Sequence, residues 1–83
     1  MEADRVLRVG DTLDGFKVEE SKDTPKGHAW VFSKSNSAVV IEMTLNDYMD
    51  YMLSPYERNR IIDQMRSDLY YAFKDKACKI WSR

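Results

Sequence analysis

The chain has 83 residues, 43% of them hydrophobic and 33% charged, an ordinary balance for one folded domain and too apolar for a disordered chain. Thirteen basic residues nearly cancel fourteen acidic ones, for a net charge of −1, which argues against a generic nucleic-acid binder that draws affinity from a basic excess. A single cysteine, Cys78, excludes an internal disulfide framework and a cysteine metal cage, and fits a reducing, cytoplasmic location.

In chain order, residues 1–9 alternate charge with Val6, Leu7 and Val9, a pattern open to a short first strand or a loose arm. The stretch Met1-Glu2-Ala3-Asp4-Arg5 is charged with no apolar run after it, so no secretory signal is expected. Gly10-Asp11 reads as a turn. Phe16 to Glu20 alternates apolar and charged residues, which is strand periodicity. Ser21 to Gly27 is dense in turn formers, and His28 to Lys34 (HAWVFSK) forms a second strand, rich in aromatic and β-branched residues. Ser35-Asn36-Ser37 reads as a tight turn. Ala38 to Met43 follows as a third strand, and its near-continuous apolar character suits a central position. The apolar run Ala38-Val39-Val40-Ile41 is far below the roughly 20 residues that span a bilayer.

At Thr44 the period changes. Thr44 with Asp47 is a capping signature, and Leu45, Tyr48, Met49 and Met52 follow at helical spacing. This first helix is short, ending at Leu53. Ser54 then acts as a new N-cap, with Pro55 at the first helical position and Glu57 closing the capping box. The long helix that starts there carries Ile61, Ile62, Met65, Leu69, Ala72, Phe73 and Ile80 within an arc of roughly 120°, the width of a core-facing stripe. Lys76 falls inside that arc. The expected architecture is a single α+β domain over residues 1–83. An antiparallel meander of three to four strands (1–43) precedes a short helix (44–53) and a long amphipathic helix (54–81) packed on one sheet face.

The catalytic inventory is poor. His28 is the single histidine, and no second histidine or nearby cysteine can converge with it on a metal or a proton relay. Cys78 sits near the C-terminal end of the long helix, where the dipole does not favour a thiolate. Glu42 ends the apolar strand and most simply faces solvent. Gly10, Gly15 and Gly27 form no phosphate-binding loop. No enzyme activity, cofactor or metal is expected.

What remains is a surplus of aromatic residues. His28, Trp30 and Phe32 point to one side of their strand, and Ala29, Val31 and Ser33 to the other. If Val31 joins Val39 and Ile41 against the helix, Trp30 and Phe32 stand exposed on the outer face and mark a binding surface. The alternative places them in the core. On the long helix Tyr56, Tyr70, Tyr71 and Trp81 fall outside the apolar arc, and tyrosine is enriched at interfaces. Met43, Met49, Met52 and Met65 read as adaptable core packing. The candidate partner-binding set is therefore Trp30, Phe32, Tyr56, Tyr70, Tyr71 and Trp81, with a protein partner or a second copy of the chain as occupant. The function this implies is a small interaction module, a regulator or inhibitor that occupies a partner's surface. Domains of this kind are frequent among phage and mobile-element proteins. The alternative is nucleic-acid binding through Lys74, Lys76, Lys79 and Arg83, which also suit the negative end of a helix dipole.

Overall fold

A computed structural model describes residues 6–74 and 80–82. Its elements run β1 (Thr12–Leu13), β2 (Phe16–Asp23), β3 (Gly27–Lys34), β4 (Ser37–Thr44), α1 (Leu45–Leu53), α2 (Pro55–Lys74) and β5 (Ile80–Ser82). The first four strands form an antiparallel meander, and β5 pairs parallel to β4 at the far side. A parallel neighbour needs a crossover, and α1 and α2 supply it. The fold is α+β.

Two hairpins are closed by two-residue loops whose residues are all left-handed: Asp14 (φ 53°) with Gly15 (φ 84°), and Ser35 (φ 50°) with Asn36 (φ 67°). That conformation matches the right-handed twist of the flanking strands. The second loop sets the register of the central hairpin. Lys34 pairs with Ser37, so Phe32 lies opposite Val39 and Trp30 opposite Ile41. Opposed residues share a sheet face. Trp30, Phe32, Val39 and Ile41 therefore all point inward, joined by Phe16, Val18 and Met43, onto Ile61, Ile62, Met65, Leu69 and Ala72 of α2.

This corrects the outer-face reading of the aromatic strand. Trp30 is 1% exposed and Phe32 0%, so neither can meet a partner in the folded chain. The outer sheet face carries Val31, Val40 and Ala29 instead, with Glu20 and Lys22 opposite Val31 and Ala29.

Both helix starts form as expected. The Thr44 hydroxyl accepts from the Asp47 N–H at 3.3 Å, and the Ser54 hydroxyl accepts from the Glu57 N–H at 3.2 Å. The end of the long helix does not. α2 is described over Pro55–Lys74, and residues 80–82, expected in the helix, form β5 against the edge of β4, with Trp81 opposite Ile41. Ile80 falls on the helical stripe by spacing alone. Ile80 and Trp81 are strand formers, and β4 offers them an unpaired edge. Lys76, Cys78 and Lys79 lie outside the described residues, as does Arg83.

Two contacts close the end of the sheet near the β3–β4 loop. Phe16 and Phe73 meet edge to face at 5.5 Å, and the Lys34 ammonium lies over both rings, at 4.9 and 5.3 Å from their centres. Arg66 pairs with Asp14 at 3.4 Å, tying α2 to the β1–β2 turn.

Candidate functional site

Helix α1 is apolar over more than half its circumference: Leu45, Tyr48, Met49, Tyr51, Met52 and Leu53 are six of its nine residues. Only one side can face the sheet. Tyr51 takes that side, fully buried against Trp30 at 5.3 Å between ring centres. Its hydroxyl accepts a hydrogen bond from the Leu7 N–H at 2.6 Å, which pins the N-terminal segment to the helix. Tyr48 sits beside it, stacked on His28 at 4.2 Å.

The other side is left in solvent. At about 100° per residue, Leu45, Met49, Met52 and Leu53 fall on one arc of about 100°, and all four are exposed, Leu53 most of all at 73%. Tyr56, 75% exposed, follows across the Ser54 corner. The methionines thus divide. Met43 and Met65 are core, whereas Met49 and Met52 stand outside. These exposed apolar side chains make a candidate contact surface, and of its residues Tyr56 alone was among the sites expected from the sequence. Its signal was present in the composition of α1, which carries more apolar residues than one buried face can absorb.

The stripe is rigidly mounted. Arg58, buried beneath it, donates from Nε to the Tyr51 carbonyl and from Nη2 to the Met52 carbonyl, each at 2.8 Å. A guanidinium on the last carbonyls of a helix satisfies acceptors that have no partner within it. The rim is acidic. Asp50 is exposed on one flank, and Asp23, its side chain 87% exposed, lies beyond Tyr48 on the other, whereas half-buried Asp47 falls on the opposite side of the helix. The Arg60 guanidinium is held in its charged form more firmly than usual by its hydrogen bond and charge contact with Glu57, with Asp47 and Asp50 adding to the effect.

The tyrosine set does not form one patch. Tyr56 and Tyr70 share the solvent side of α2, but fourteen residues of helix separate them by about 21 Å, with Arg60, Asp63 and Ser67 exposed between. Tyr70 and Tyr71 make their own pair, edge to face at 5.2 Å. Beside them a groove of about 510 Å³ is lined by Ser37, Tyr70, Phe73 and Lys74. Of the proposed basic cluster, Lys74 alone is described, 6.0 Å from the Tyr70 ring centre.

His28 is buried on the inner face, not at the surface. Its Nε2 lies 2.8 Å from the Ser21 hydroxyl and its Nδ1 2.9 Å from an Asp23 carboxylate oxygen. The order serine, histidine, aspartate is that of a hydrolytic relay. A relay carboxylate is buried, however, and Asp23 is almost wholly in solvent. The three residues belong to the facing ends of β2 and β3, where Asp23 opposes His28, and there they pin the hairpin end. Glu42 is half-buried opposite Ala29. Among the described residues no cluster of histidine, cysteine and carboxylate side chains could hold a metal ion, and no helix is long and apolar enough to cross a membrane. No protein-family model matches the chain, and no curated protein and no solved structure matches it either.

Proposed function

We propose that the chain is a cytoplasmic protein–protein interaction module, a regulator or inhibitor that acts by occupying the surface of a partner protein. One observation carries this reading: the outward stripe of Leu45, Met49, Met52 and Leu53 on α1, continued by Tyr56. Large apolar side chains gathered in solvent lower solubility unless something covers them, and aromatic and methionine residues are enriched where partners dock. The test compares wild type with a Leu53→Asp, Tyr56→Ala double variant as bait in lysate of the source cells. Wild type should retain a protein that the variant loses while the far-ultraviolet circular dichroism stays the same. Identical captures by the two baits would sink the reading. An enzymatic reading would return if the protein hydrolysed a nitrophenyl ester and Ser21→Ala abolished that hydrolysis.

A further inference from the structure

We infer that the occupant of the α1 stripe is a basic amphipathic segment of another protein, with apolar anchors at helical spacing flanked by lysine or arginine. This rests on the reading of the stripe as a docking surface and specifies the chemistry of what docks there. The apolar arc sets the first requirement. Leu45, Met49, Met52 and Leu53 follow the i, i+4, i+7, i+8 spacing by which one helix presents anchors to another. Two of the four are methionines, whose unbranched side chains adjust to the shape placed on them.

The rim sets the second requirement. Asp23, Asp50 and Glu57 border the stripe. Among the described residues the cations near it are Arg60, held by Glu57 at 2.7 Å, and Lys26, whose carbonyl accepts from the first N–H of α1. Arg58 is turned inward onto the helix carbonyls. The carboxylates thus outnumber the solvent-facing cations around an apolar centre, and potentials across an interface are complementary. The same rim disfavours other occupants. A second copy docked through this stripe on a two-fold axis would bring Asp50 towards its own equivalent. Anionic lipid headgroups and nucleic-acid phosphates would meet the carboxylates directly.

The test uses the full chain to select from a displayed library of random peptides of roughly sixteen residues, about four helical turns. Counter-selection uses a Met49→Ser, Leu53→Ser double variant, whose changes fall on exposed positions and should leave the melting temperature unchanged. Surviving peptides should carry net positive charge with apolar residues at helical spacing. A synthesised survivor should bind the double variant about tenfold more weakly or worse. It should also lose several-fold in affinity on Asp23→Asn with Asp50→Asn, or when salt rises from about 50 to about 500 mM. Survivors that are neutral or acidic would overturn the basic partner and leave the docking surface standing. No survivors, or survivors indifferent to the Ser variant, would overturn both. Light scattering that shows a dimer dissociated by the Ser variant would make the occupant a second copy and overturn the inference.

Discussion

Gly27 shows how far a single position can constrain this fold. It opens β3 directly opposite Thr44, where β4 turns into α1, and the Leu45 N–H donates to the Lys26 carbonyl at 3.1 Å. A Cβ at Gly27 would lie 2.3 Å from the Met43 carbonyl oxygen and 2.5 Å from the Leu45 nitrogen. Those atoms are backbone and cannot turn aside. Gly27→Ala should therefore destabilise the domain by about 3 kcal/mol or more, read as a fall in the urea midpoint. Gly10, with nothing near its missing Cβ, shows no such collision. Tyr51 is constrained by a different physics. Burial raises its hydroxyl pKa above 10.0, with Tyr48 and Asp11 adding, while the hydrogen bond from Leu7 and the charge of Arg58 pull it partly back. Tyr48 is raised too, by burial and then by Asp23. A raised folded value means that the unfolded chain ionises first. The contribution to stability is complete below pH 10.0 and is lost as pH climbs through the folded values. Urea midpoints at about pH 9 and about pH 11 should show the loss, and Tyr51→Phe should shrink it. At neutral pH the same variant should cost about 1–3 kcal/mol, because the buried Leu7 N–H keeps no acceptor.

At the scale of elements, both helix starts were legible because caps are local chemistry: Thr44 and Ser54 each hold an N–H three residues ahead. The face of β3 was not legible, and the reason is one residue of loop. If Ser35, Asn36 and Ser37 all belong to the turn, Lys34 opposes Ala38, Val31 opposes Ile41, and Trp30 turns outward. With a loop of Ser35 and Asn36 alone, Lys34 opposes Ser37 and Trp30 turns inward. A shift of one residue exchanges the two faces of a strand. The Asp14-Gly15 pair, flanked by Leu13 and Phe16, was a readable signal for the β1–β2 hairpin. The exposed stripe of α1 was hidden for another reason. A short helix with apolar residues on most sides does not reveal which side a sheet will take, and here two tyrosines outcompete the leucines and methionines. Arg58 joins the two helices into one unit. Replacing it with leucine would leave the Tyr51 and Met52 carbonyls without these donors and should cost about 1–3 kcal/mol. The same change should weaken docking on α1, seen as loss of affinity for a selected peptide beyond what the melting temperature explains.

For the whole molecule, the balance is thin. A domain of this size draws on one small core, and net stabilities of about 5–15 kcal/mol are the rule. Trp30→Ala, which removes the largest fully buried side chain among the described residues, should cost about 3–5 kcal/mol, read as a large fall in the urea midpoint. The separation of the core from the proposed docking surface matters here. The apolar residues that would meet a partner are not those that hold the sheet to α2, so a binding-defective variant can keep its fold, and selection can alter the stripe without dismantling the scaffold.

The parallel pairing of β5 on β4 has its own consequence for how the chain comes to be assembled. The strands β1 to β4 are joined by short loops and can pair as soon as each is made. β5 is encoded after both helices, so the outer edge of β4 stays bare through that interval, with the apolar sequence Ala38-Val39-Val40-Ile41 on it. Bare apolar edges recruit other strands. A chain cut after Lys74 would hold that interval open permanently. It should fold its meander yet associate as its concentration rises, visible as light scattering that the full chain does not show. A strand of three residues would then serve as a guard against self-association while the protein is being made.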